Sequence, residues 1–238
     1  MPAFSNAMPV RPDPGDRSAM YRLVSLAFRY PSPEMFESFR DGRYVAELRD
    51  SVMRIPYLSA LLFEHAGPTP SEVEGKFDGM EYSEFEARYV RTFDAGTPAP
   101  SCPPYEHVYS EGNQANVLLE VSEFYKHFGL EMGREEGARE LPDHLCAELE
   151  FLHFLTFKES QVEQEGASDL LDGYRLAQKD FLERHLARWV PQFCARIEQQ
   201  SALPFYGWLG RITAGLIASE VGWVDAACRE GASRSGTF

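Results

Sequence analysis

Nowhere in these 238 residues do β-branched side chains alternate with polar ones over five or more positions, the pattern a half-buried strand requires. Apolar residues recur instead at spacings of three and four. From Arg17 to Arg29 that spacing puts Met20, Val24, Ala27 and Phe28 on one face, and Tyr30-Pro31 stops the run. Ser32-Pro33 reads as an N-cap with proline at the first helical position, and a short helix with Phe36 and Phe39 follows, ended by Gly42. Val45, Leu48, Val52 and Ile55 make the next helix, which Pro56 closes; Leu58, Leu61 and Leu62 begin another. Tyr82, Phe85, Tyr89 and Phe93 form an aromatic stripe suited to core packing. A helix is predicted from about Gln114 to Phe128, with Gly129 at its C′ position. The remaining helices start at Glu140, carrying Leu145, Leu149, Leu152 and Leu155; at Leu171, running towards His185 and Trp189; at Pro191, with Phe193 and Ile197; and near Phe205, carrying Leu209, Ile212, Leu216 and Val224. The expectation is an all-α protein, a single helical bundle of roughly ten helices over residues 17–228. Residues 1–16, with four prolines, read as a disordered leader, and 229–238 as a mobile tail.

Two connections interrupt the helices. Gly67 to Gly79 is rich in proline, glycine and acids. Asp94 to Ser110 is a long loop containing Pro103-Pro104-Tyr105-Glu106-His107 and Tyr109, and loops of that length inside a compact domain are often functional. Its prolines limit backbone freedom, and its tyrosines offer contact area that attracts guanidinium groups when acids are near. Glu106, Glu111 and Asp143 are candidate acids; the same prolines and tyrosines could equally seal the loop against the core. The second candidate is Leu141-Pro142-Asp143-His144-Leu145. Pro142 marks a helix start, which places Asp143 and His144 in the first turn as a small, exposed polar site. Glu148, at i+4 from His144, is within hydrogen-bonding reach on a helix.

The acids outnumber the bases, 37 to 23, for a net charge of −14. That argues against a nucleic-acid partner, which needs clustered Lys and Arg. It suits a basic peptide, although such charge also serves solubility. The four cysteines are scattered and form no Cys-x-x-Cys pair, so reduced thiols are expected rather than disulfides or a zinc ribbon. No apolar run approaches the roughly twenty residues of a membrane span. The N-terminus lacks an apolar core, so it does not read as a secretory signal and a cytoplasmic location is expected. There is no Gly-x-Ser-x-Gly, His-Glu-x-x-His or phosphate-loop motif, so no catalytic residue, metal or resident cofactor is expected. Two other classes stay open: a metal-dependent hydrolase built on His144, Glu148 and His107, and a helical scaffold for stable subunit assembly.

Several of these segments resemble, in the right order, the TorD/DmsD/NarJ family of redox-enzyme maturation chaperones. They are Met20 to Pro31, Glu86 to Asp94, Pro103 to Tyr109, Leu118 to Leu130, Leu141 to Leu145 with Glu148, Leu149 and Phe151, and Phe181 to Pro191. The resemblance covers about residues 17–226. It implies an all-α cytoplasmic chaperone that binds the twin-arginine signal peptide, or N-terminal segment, of a molybdenum enzyme's catalytic subunit and assists cofactor insertion before export. It places Asp143 and His144 on the peptide-binding surface, with Pro103, Pro104, Tyr105 and Tyr109 nearby and Tyr21 added from the first helix; Glu106 joins them as a candidate acid of the loop. Many members carry Trp where this chain has Tyr105 and Tyr109, which implies a smaller and more polar pocket. The implied client is an enzyme of the dimethyl-sulfoxide-reductase type, from a nitrate-, selenate- or hydrocarbon-oxidising branch. A transient contact with molybdopterin guanine dinucleotide or GTP is implied for some relatives, without a motif for it here.

Overall fold

A computed structural model describes residues 11–59, 77, 79–131, 140–200 and 202–235. The first helix, α1 (Pro14–Phe28), opens on Asp13, whose carboxylate accepts the Gly15 N–H at 2.6 Å. Arg11 pairs with Glu163 at 2.7 Å. The folded body therefore begins inside the stretch expected to be a disordered leader; residues 1–10 lie outside the described residues. In α2 (Pro33–Arg40) the Ser32 hydroxyl caps as predicted, accepting from Met35 N at 3.2 Å. α3 (Arg43–Arg54) follows, and residues 56–59 are helical again. Leu61, Leu62 and most of the Gly67–Gly79 connection fall outside the described residues. The aromatic stripe lies on α4 (Tyr82–Tyr89) and a π-helical turn (Val90–Asp94), with Phe85, Tyr89 and Phe93 buried as expected. Asn113 caps α5 (Gln114–His127), and Gly129 takes the left-handed C′ position at φ 71°.

The C-terminal helices depart from the predicted boundaries. α6 (Leu145–Glu165) starts after the Asp-His pair, because His144 is its N-cap. α7 (Ser168–Arg184) and α8 (Leu186–Gln200) are separated at His185, where φ −119° and ψ −97° leave the helical region, and Pro191 sits inside α8. The break belongs to His185 because its ring is drawn towards Glu106, described below. Pro191, in the interior of α8, removes one intrahelical donor and its ring crowds the Ala187 carbonyl. α9 (Pro204–Ser235) continues through Arg229, so most of the expected mobile tail is helix; residues 236–238 are outside the described range.

α1 lies along α6, α8 along α9, and both α6 and α9 pack on α7. Their core is rich in aromatic rings: Phe28 meets Phe93, Phe193 and Tyr206, while Phe39 meets Phe77, Phe85 and Phe205. Such pairs contribute about 0.5–1.5 kcal/mol each beyond area burial. One polar knot ties the bundle together. Arg17 on α1, fully buried, donates to Glu159 on α6 at 2.8 Å, Gln178 on α7 at 2.6 Å and Glu220 on α9 at 2.6 Å. Arg175 adds a second guanidinium on Glu159 at 2.8 Å, so both carboxylates of the knot, Glu159 and Glu220, have a cationic partner. Among the described residues no β-strand forms, only an isolated bridge between Tyr105 and His144, and no helix is long and apolar enough to cross a membrane.

Candidate functional site

That isolated bridge joins the two segments singled out in the sequence. The first N–H groups of a helix have no intrahelical acceptor. At the start of α6 the proline loop supplies one: Leu145 N–H donates to the Pro104 carbonyl at 2.9 Å. In return Glu106 N–H donates to the Asp143 carbonyl at 3.0 Å, closing an antiparallel pair around Tyr105 and His144. Cys146 N–H is taken by His144 Nδ1 at 3.1 Å, and Pro142 has no N–H to satisfy. The Pro142 carbonyl accepts from the Tyr125 hydroxyl of α5 at 2.9 Å.

Side chains then fasten the loop. Asp143 Oδ2 accepts His107 N–H at 3.0 Å and lies 2.6 Å from His107 Nδ1. Glu106 Oε2 meets His185 Nδ1 at 2.8 Å, which draws the α7–α8 junction to the loop. Glu148 Oε2 accepts from the Trp189 indole at 3.0 Å, so its side-chain partner is Trp189 rather than His144. Tyr109 stacks on Trp189 with ring centroids 5.7 Å apart, and Tyr105 sits edge-on to His144 at 5.0 Å.

Electrostatics follow from burial. Desolvation pushes the His144 imidazole down to about 4, so the ring is neutral and Nδ1 is free to accept the capping N–H. Burial, with the Glu106 charge beside it, holds the Glu148 carboxyl well above the usual carboxylate range. Burial, with the Glu140 and Asp94 charges near it, pushes the Tyr105 phenol up to about 12.

The structure thus brings together Pro103, Pro104, Tyr105, Glu106, Tyr109, Asp143 and His144, but it corrects their exposure. Asp143 and His144 were expected in the open on a first helical turn; they precede the helix and are 0% and 4% exposed, because the loop lies over them. Glu106, Pro103 and Pro104 are buried as well. None of these acids can meet a guanidinium in the closed site. Tyr21 belongs elsewhere: it is fully buried, with its hydroxyl donating to Glu220 at 2.8 Å in the Arg17 knot. The surface that remains is Tyr105 and His107, both partly exposed, with exposed Val108, Glu111, Glu140 and Asp94. Glu140 and Asp94 are the accessible acids that sequence reasoning missed; their only signal was position, each ending or starting a segment already singled out. Among the described residues no three His, Cys, Asp or Glu side chains converge as metal ligands. His107, His144 and Glu148 are committed to Asp143, Cys146 and Trp189.

Each of these side chains is tied to the loop or to a helix by at least one contact, while Tyr109 Oη, Asp143 Oδ1, Glu148 Oε1 and His185 Nε2 are buried without a hydrogen-bond partner. Sequence relationships define the class. A family profile described as nitrate reductase delta subunit matches residues 62–195, and the chain belongs to this family of redox-enzyme maturation chaperones. It is 35% identical to the perchlorate reductase assembly chaperone protein of Dechloromonas aromatica, over 80% of this chain and 81% of that one. It is 34% identical to the selenate reductase assembly chaperone protein of Thauera selenatis, over 54% and 65%, and 28% identical to chaperone protein TorD of Vibrio cholerae, over 55% and 58%. The chain is accordingly a chaperone and not an enzyme.

Proposed function

We propose that this chaperone holds the N-terminal segment, including a twin-arginine signal peptide, of the catalytic subunit of a molybdenum-dependent oxidoreductase while that subunit matures in the cytoplasm. The observation that carries the reading is the strapped loop. Pro104, Glu106 and His107 are bonded to Asp143 and Leu145 before any partner arrives, so Tyr105, His107 and Val108 form a preset face. Little ordering entropy is then lost on binding. A basic peptide lying over Tyr105 would put its guanidinium groups against the ring and towards Glu140 and Asp94, with Asp143 and His144 acting underneath as positioning residues. The charge of −14 speeds capture of a cationic peptide and makes it salt-sensitive. The perchlorate and selenate reductase chaperones among its relatives favour a reductase of that kind as client. No cofactor of its own enters the mechanism: retention and release follow from affinity alone.

Calorimetric titration with a synthetic twin-arginine signal peptide tests this. Tyr105→Ala is expected to weaken binding about tenfold at unchanged helix content, and Glu140→Gln to weaken it less and flatten its salt dependence. Equal affinity for wild type and Tyr105→Ala overturns the reading.

A further inference from the structure

We propose that the groove between α5 and α7 is a second docking surface, which takes an apolar, helical segment of the same client carrying a cationic side chain; the identity of that client rests on the reading above. The groove has a volume of about 800 Å³, at the upper end of ordinary binding cavities. Phe124, Phe128 and Ala177 line it along with Leu119 and Leu176. Those two leucines are 60% and 53% exposed, more than half open to water on facing helices. Gly173 also lines the groove, and a Cβ there would meet nothing within 4 Å, so the space is open. α5 has 14 residues, about 21 Å of helix, which matches roughly four turns of a partner helix laid alongside.

Charge selects the occupant. Glu120, Glu123 and Asp180 line the groove with Arg184, and Glu123 is paired at its rim with Lys126 at 3.0 Å. Arg184 pairs with Glu120 and lies 5.1 Å over the Phe124 ring, showing how a guanidinium is received there. Asp180 has no cationic partner among the described residues, so a carboxylate beside apolar side chains stands ready for an incoming Lys or Arg. A second copy of this chain would bring another net −14 to the same place, which opposes self-docking. The groove also adjoins the strapped loop. Glu120 lies 3.8 Å from His185 Nε2, and the same ring meets Glu106 through Nδ1. One leader could therefore lay its arginines on the loop and its apolar run in the groove.

Two probes separate the sites: a long synthetic peptide holding the arginine pair and the following apolar run with its flanking basic residue, and a short one ending after the arginines. Both are titrated into full-length protein by fluorescence anisotropy. Leu176→Glu, Gly173→Leu and Asp180→Lys are each expected to weaken the long peptide about tenfold and leave the short one unchanged. Tyr105→Ala is expected to weaken both. Groove variants that leave the long peptide unaffected overturn the proposal, and a Tyr105→Ala loss in the same experiment leaves the loop reading standing. Loss in the groove variants alone supports the groove and sinks the loop. A wild-type dimer in sedimentation, abolished by Leu176→Glu without change in peptide affinity, assigns the groove to self-association and also overturns the proposal.

Discussion

His144→Asn separates the capping role of this residue from its titration. The imidazole is buried and accepts Cys146 N–H, which only its neutral form can do. Its value falls from 6.5 to about 4 on folding. The sign is fixed by which state takes the proton first. Between about pH 6.5 and 4 the unfolded chain binds a proton that the folded chain refuses, so stability is lost as pH falls through that window and is level above it. At 1.36 kcal/mol per pH unit the loss amounts to about 3 kcal/mol. Glu148 works in the opposite sense, since its raised value means that the folded chain protonates first and acid relieves its burial. That contribution is common to wild type and variant and cancels in their difference. Asparagine keeps a side-chain acceptor for the N-cap and does not titrate. Urea unfolding at several pH values from about 7.5 to 4 is therefore expected to show the variant gaining about 3 kcal/mol relative to wild type across the window. A difference that stays constant with pH refutes the buried, neutral cap.

Asp143→Ala removes the acceptor of both His107 bonds and is expected to cost about 3 kcal/mol, with the His107 amide losing its protection in hydrogen exchange while α6 stays protected. Full retention of that protection would show that Asp143 does not hold the loop. Arg17→Met leaves Glu220 in the core without a cation and Glu159 with Arg175 alone, and is expected to cost about 3–5 kcal/mol in chemical denaturation. Adding Glu220→Gln, with Glu159 left to Arg175, should recover much of that loss, and failure to recover it would place the cost in packing instead of charge.

What the sequence revealed and what it hid divide along a physical line. Periodicity and caps are local, and they located Ser32, Gly129 and the aromatic stripe correctly. Boundaries set by distant partners were not legible. Pro142 looks like a helix start, but the loop's Pro104 carbonyl and the His144 ring take over the first N–H groups, so the helix opens later. Pro191 looks like a helix start too, but the pull of Glu106 on His185 moves the break upstream. The polar knot around Arg17 was invisible because its members are about 140 to 200 positions apart and each resembles an ordinary surface charge. The candidate site was half legible: the right segments were identified, while the side of the loop facing water was not.

That last difference bears on where client preference resides. The segment holding Asp143 and His144 bears the most specific resemblance to the family pattern, yet this pair and Glu106 face inward and hold the loop against α6 and the α7–α8 junction. Residues committed to the interior can set the position of a binding face but cannot discriminate one ligand from another, because discrimination requires a difference in contact between ligands. On the proposed reading, preference is then carried by the neighbours that reach water: Tyr105, His107, Val108, Glu111, Glu140 and Asp94. These are side chains on a fixed backbone, where exchange of Tyr105 for a larger ring would change contact area without unfastening the loop. If the proposed face is the client site, surface substitution alone retunes it for a new client, whereas changing the Asp-His pair disturbs the platform for every client.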